Sequence, residues 1–194
     1  MKNFTQTLCL FLLVVSSSFA QQEKGITGKN NWLNNWTEFR PNQIEYGEPT
    51  QILSGNITQD TKLNKRDIYL LLGSVFITDS TTLTIEPGTV IIGDFKTNRS
   101  VKKEGDWGGI FILGDAPINK FGNASSVNYG LRPSAFENIS YGGLNAYSDS
   151  GVLRYVRIEF AGKRTKEFGY FNALTLAGVG RNTVIENIMV SYSD

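Results

Sequence analysis

Three apolar runs of one shape punctuate an otherwise polar chain: Leu70-Leu71-Leu72-Gly73-Ser74, Val90-Ile91-Ile92-Gly93-Asp94 and Phe111-Ile112-Leu113-Gly114-Asp115. Each is three large apolar residues, a glycine and a small polar residue. That is too short for a helix and suits a buried strand ending at a bend. The runs recur at steps of 20 and 21 residues, and nothing helical lies between them. A step of this size predicts a repeat architecture of stacked strands, a parallel β-helix. The reason is entropic. Ordering the chain costs roughly 1–2 kcal/mol per residue, and a lone turn has nothing to bury its apolar face against. Stacked turns bury one another, at roughly 1.5–3 kcal/mol per large side chain.

A second pattern closes the chain. Val152–Phe160 aligns on Val184–Tyr192 at a constant step of 32. Strand side chains alternate, so Val156, Ile158 and Phe160 face the core, matched by Ile188, Val190 and Tyr192. Leu153 and Ile185 are out of phase with that set, which requires a corner between them and the following strand. Stacked in register, Arg154 and Glu186 sit about 4.8 Å apart and form a surface ion pair of little energetic weight. Leu174 and Leu176 supply a strand between the two copies, and Gly178-Val179-Gly180 the next bend. The coils are expected to start near Ile52, with Leu53-Ser54-Gly55-Asn56 as the first bend and Glu86-Pro87-Gly88 as a tight turn. Asp94–Gly105 is polar and basic and reads as a loop. Ala116–Asp149, rich in Gly, Asn and Ser, reads as a long excursion with one strand at most. The resulting division is residues 1–20, a 21–50 irregular cap segment carrying Trp32, Trp36, Phe39 and Tyr46, and coils over 51–194 with excursions near 95–105 and 116–149. The fold class is all-β: a right-handed parallel β-helix with an irregular N-terminal cap and an open C-terminal end. An open end exposes strand edges and invites end-to-end self-association.

Met1–Ala20 reads as a signal peptide: Lys2, an apolar stretch from Leu8 to Val15, and the small-x-small ending Ser18-Phe19-Ala20. The apolar stretch is far short of the roughly 20 residues that span a bilayer. The chain is therefore expected to be exported, to the cell surface, the extracellular space or the periplasm, with no membrane span. The chain carries 19 basic and 18 acidic residues. Removing the leader takes away Lys2 and no acid, so the two signs then balance, and nothing suggests capture of nucleic acid. Cys9 is the only cysteine and there is no histidine. Disulfides, Ser-His-Asp triads and His-ligated zinc are thereby excluded.

The candidate chemistry lies in carboxylates: Asp94, Asp106, Asp115, Asp149, Glu159, Glu186 and Asp194. Asp94 and Asp115 take equivalent places after glycine and could stack as a pair, to bind calcium or to act as acid and base. No other cofactor is implied. Short polar residues at bends also satisfy backbone groups, and Ser74 holds the same place in the first run, which favours the structural reading. Asp106 and Trp107, in Gly105-Asp106-Trp107-Gly108-Gly109, could form an acid and a stacking platform for a sugar. Glycines flanking a tryptophan equally mark a bend where backbone passes close to a ring. Arg154 or Arg157 could serve as a lyase-type base beside these acids, though nothing in the spacing demands it. Asn-x-Ser/Thr triplets at Asn35, Asn56, Asn98, Asn123 and Asn138 would be glycosylation acceptors in a eukaryotic secretory route, and read as coincidence in a chain rich in Asn and Thr turns.

The phrases Leu53–Thr58, Thr82–Ile91, Asp106–Ile110, Gly151–Gly162 and Leu174–Asp194, in this order, resemble a family of secreted right-handed parallel β-helix proteins of Gram-negative bacteria. Its members are mostly uncharacterised, and full-length ones often carry a C-terminal secretion-sorting domain. Relatives continue past Val190-Ser191-Tyr192-Ser193-Asp194, so the resemblance implies that this chain is an N-terminal fragment. The expected role is an exported scaffold or binding protein that contacts polysaccharide or the cell envelope, with Asp94, Asp106, Trp107, Asp115 and Glu159 as candidate binding residues. The alternatives are a polysaccharide lyase or glycoside hydrolase on the same fold, and a truncated fragment without activity of its own.

Overall fold

A computed structural model describes residues 31, 33–93, 102–127, 139–165 and 169–193. The leader, Cys9, Trp32, Asp94, Asn98, Asn138 and Asp194 lie outside them. The chain divides into two compact units, Met1–Thr37 and Glu38–Asp194. In the first, Leu33–Trp36 form a turn, with Asn34 N donating to Asn31 O at 3.2 Å and Thr37 Oγ1 to Leu33 O at 2.7 Å.

The second unit opens with a 3₁₀ turn, Pro41–Gln43, and is otherwise built from short strands. In chain order these are β1 (Gln51–Ile57), β2 (Thr61–Leu63), β3 (Ile68–Ile77), β4 (Leu83–Ile85), β5 (Val90–Ile92), β6 (Ile110–Leu113), β7 (Ser125–Ser126), β8 (Ser140–Tyr141), β9 (Val152–Glu159), β10 (Arg164–Thr165), β11 (Gly169–Tyr170), β12 (Leu174–Ala177) and β13 (Val184–Ser191). Parallel pairing joins β1-β3-β5, β2-β4, β6-β12 and β9-β13. The pairs β7-β8 and β10-β11 are antiparallel. The excursion therefore holds two short strands rather than one.

β9 and β13 pair from Val152↔Val184 to Glu159↔Ser191, a step of 32 throughout. The corner that Leu153 and Ile185 require falls at Tyr155 and Asn187, both left-handed at φ 55° and 54°. A second matched pair follows at Phe160 and Tyr192, at φ 58° and 51°, with their rings 5.4 Å apart. Left-handed backbone costs a non-glycine residue about 1–2 kcal/mol, so the two paired strands make the same two strained bends at matching positions. Arg154 and Glu186 meet at 2.9 Å on the surface.

The apolar runs stack differently from their spacing. β3 pairs with β5 from Ile68↔Val90, a step of 22, not 20. A shift by two keeps the same side chains inward, because the strand period is two. The third run, in β6, pairs not with β5 but with β12, Leu113 opposite Ala177. Leu72 is 52 % exposed and Ile91 37 %, so one large apolar residue of each of the first two runs lies at the surface. The core proper is Ile158, Ala161 and Ala173, wrapped by Trp107, Ile110, Val156, Leu174 and Ile188. Ile158 is buried as expected and Phe160 with it, whereas Val190 and Tyr192 are exposed.

Candidate functional site

Alternation along β9 sends Val156 and Ile158 inward, and so sends Arg157 and Glu159 together to the opposite face. There they meet Tyr46. The Tyr46 hydroxyl donates to Glu159 Oε2 at 3.0 Å and accepts from Arg157 Nη2 at 3.2 Å. Arg157 Nε lies 3.3 Å from Glu159 Oε1. The Glu159 side chain is only 10 % exposed, and its Oε1 has no hydrogen bond. Burial, with the Glu159 charge next, pushes the Tyr46 phenol from its ordinary 10.0 up to about 12.

Lys102 holds the backbone that carries Tyr46. Its ammonium donates to Pro41 O at 3.2 Å and to Ile44 O, and lies 4.7 Å from the Tyr46 ring centre and 5.9 Å from that of Phe160. Trp107 closes the far side of the cluster by donating its indole N–H to Glu159 O at 2.7 Å.

Two of the candidate residues, Trp107 and Glu159, are thus brought together. Asp106 is their neighbour in sequence, but its Oδ2 accepts from Lys103 N at 2.9 Å and closes a turn. Gly93 is there for space: a side chain would come within 2.5 Å of Trp107 Cβ, whereas one at Gly108 would make only an ordinary contact, 3.5 Å, with the Phe171 ring. Asp115 is exposed after β6, on the pair with β12, and its carbonyl accepts from Asn145 N at 3.0 Å. Asp94 lies outside the described residues, so its pairing with Asp115 is not on view. Asp149 Oδ1 accepts from Gly151 N at 2.8 Å. Among the described residues no group of three or more His, Cys, Asp or Glu side chains is placed to hold a metal ion. No helix among them is long and apolar enough to cross a membrane.

A shallow depression of about 450 Å³ lies elsewhere, lined by Asn64, Lys65, Arg66, Asp67 and Glu86. Its Glu86 carboxyl is held below the usual range, chiefly by its hydrogen bond with Lys62 and then by Lys65 N. The Lys62–Glu86 contact is 2.8 Å.

Tyr46 and Lys102 were missed from sequence. Tyr46 reads as one aromatic of the cap segment, and Lys102 as one of several solvated charges. The legible signal is the Arg157-x-Glu159 spacing, which puts opposite charges side by side and calls for a partner to cover them.

The family model for a pectate-lyase-like β-helix domain matches residues 95–194, which include Trp107, Arg157 and Glu159. The chain belongs to that family. No curated protein and no solved structure matches it. The parallel pairs β6-β12 and β9-β13 also fall within the matched residues. The Tyr46 and Lys102 contacts bring the segment before β1 onto the face that carries Arg157 and Glu159.

Proposed function

We propose that this chain is an exported β-helix scaffold or binding protein of the cell surface or extracellular space, one that contacts carbohydrate. Its coils would wind right-handed behind the irregular N-terminal segment. The observation that carries this reading is the engagement of Glu159. Of the candidate acids, Glu186 and Glu159 are each set beside an arginine; Glu159 is the buried one, and its carboxylate already accepts from Tyr46 and faces Arg157. Asp106 is likewise taken up by its own turn. Two free, facing carboxylates, as glycoside hydrolysis needs, are not assembled among the described residues. Polar groups and rings grouped on one face of a coil suit holding a sugar better than cleaving one.

The alternative is a polysaccharide lyase or hydrolase. It is favoured by one observation, the Arg157 guanidinium lying beside Glu159. Incubation of the purified protein with a polysaccharide array and with soluble digests separates the two. Retention on a glycan without new unsaturated or reducing ends supports the binding role. Release of such ends, lost in Arg157→Ala and Glu159→Gln, replaces it with the enzyme.

A further inference from the structure

We propose that Tyr46 is a built-in plug: it occupies a hydroxyl-recognition site formed by Glu159 and Arg157 beside Phe160, and displacing it opens that site to a sugar residue. This rests on the carbohydrate reading above and adds to it a location and a means of control.

The phenol hydroxyl plays both parts that a sugar hydroxyl plays in a binding site. It donates to a carboxylate oxygen, Glu159 Oε2, and accepts from a guanidinium, Arg157 Nη2. It also fills the site incompletely. One hydroxyl reaches only one carboxylate oxygen, and Glu159 Oε1, in a side chain nine-tenths buried, has no hydrogen bond. A group with two adjacent hydroxyls, as on a pyranose, would donate to both oxygens. Arg157 Nε stands 3.3 Å from that oxygen as an ion-pair partner and makes no hydrogen bond to it, so the oxygen can still take a donor, and it lies beside the plug rather than in the core. Tyr46 also sits on a segment that the Lys102 ammonium holds through Pro41 O and Ile44 O. The ammonium lies 4.7 Å from the Tyr46 ring centre and 5.9 Å from that of Phe160, so departure of Tyr46 would leave an aromatic face beside the opened site.

The test uses the whole chain with Tyr46→Ala, which empties the site, Tyr46→Phe, which keeps it filled, and Lys102→Met, which loosens the segment without emptying the site. The small probe is p-cresol, with toluene as control. The sugar probes are maltohexaose, xylohexaose and a galacturonate hexamer. The expected result is saturable p-cresol binding to Tyr46→Ala and none of toluene. At least one oligosaccharide should bind Tyr46→Ala tenfold or more tighter than wild type. Lys102→Met should show a smaller gain and Tyr46→Phe none. If Tyr46→Ala fails to fold, the Lys102→Met gain alone decides. Folded variants whose sugar affinities equal the wild type overturn the plug. In that case glycan binding by the wild-type chain would still support the proposed function, and only its location and control would be lost.

Discussion

Gly109 sits where the chain enters β6, and replacing it with alanine isolates the cost of close backbone stacking. Its φ is 131°. A Cβ there would stand 2.9 Å from Ala173 O and closer still to Asn172 O. The contact falls on the start of β12 pairing, where Ile110 N donates to Ala173 O at 2.9 Å. Positive φ costs an alanine about 1–2 kcal/mol. Displacing the neighbouring carbonyl loses a hydrogen bond worth about 1 kcal/mol and strands a half-buried donor for about 1 more. Reduced freedom of the unfolded chain returns roughly 0.4–1 kcal/mol. The sum is about 3 kcal/mol. Gly73 is the control, because it also has positive φ, 74°, but a Cβ there would meet nothing within 4 Å. Gly73→Ala should therefore cost about 1 kcal/mol or less. Urea unfolding followed by far-UV circular dichroism gives both values. A Gly109→Ala cost no larger than that of Gly73→Ala would refute the close approach of β6 and β12.

Other consequences follow from the same contacts. Ile158 is 1 % exposed at the centre of the core, so Ile158→Ala should lose 2–5 kcal/mol, roughly. Its counterpart one coil on, Val190, is exposed, and Val190→Ala should cost about 0.5 kcal/mol in the same assay. The Arg154–Glu186 pair is about half exposed, so a double-mutant cycle with alanine should give a coupling of roughly 0.2–1 kcal/mol that shrinks in salt. The Tyr46 phenol is raised to about 12 in the folded protein. Its contribution is therefore full below about pH 10, where the unfolded tyrosine still holds its proton, and is lost as the pH climbs toward 12. Unfolding of wild type and Tyr46→Phe across that range should show a steeper alkaline loss in the wild type; parallel curves would mean that Tyr46 is not confined as described.

Much of the C-terminal stacking was legible because both its signals survive in the sequence. Val152–Phe160 and Val184–Tyr192 share length and parity, so one constant step fixes partners and the Arg154–Glu186 contact together, while Val190 and Tyr192, expected inward, lie exposed. The three five-residue runs carried less. Their shape says strand then bend, which Gly73 at φ 74° fits, but a run this short does not encode where the chain returns. β5 can slip by two residues on β3 without exposing the wrong face, and β6 finds its partner 64 residues on, in β12. The candidate site was half legible. Alternation puts Arg157 and Glu159 on one outward face, and the Gly-Asp-Trp-Gly-Gly phrase marks a crowded ring. What covers them is Tyr46, 113 residues before Glu159. No local period reports a contact of that range.

The central claim is that successive coils lie parallel and in register, and paired cysteines test it most directly. In a Cys9→Ser background, Arg154→Cys with Glu186→Cys puts two thiols on facing residues of adjacent strands, about 4.8 Å apart and within the span a disulfide bridges. Arg154→Cys with Ser191→Cys places the second thiol five positions along the same strand. Mild oxidation should close the first pair quickly in the folded protein and leave the second open, as read by the shift on non-reducing electrophoresis. Equal closure of both pairs, or closure of the second alone, would contradict the stacking on which the fold and the site both stand.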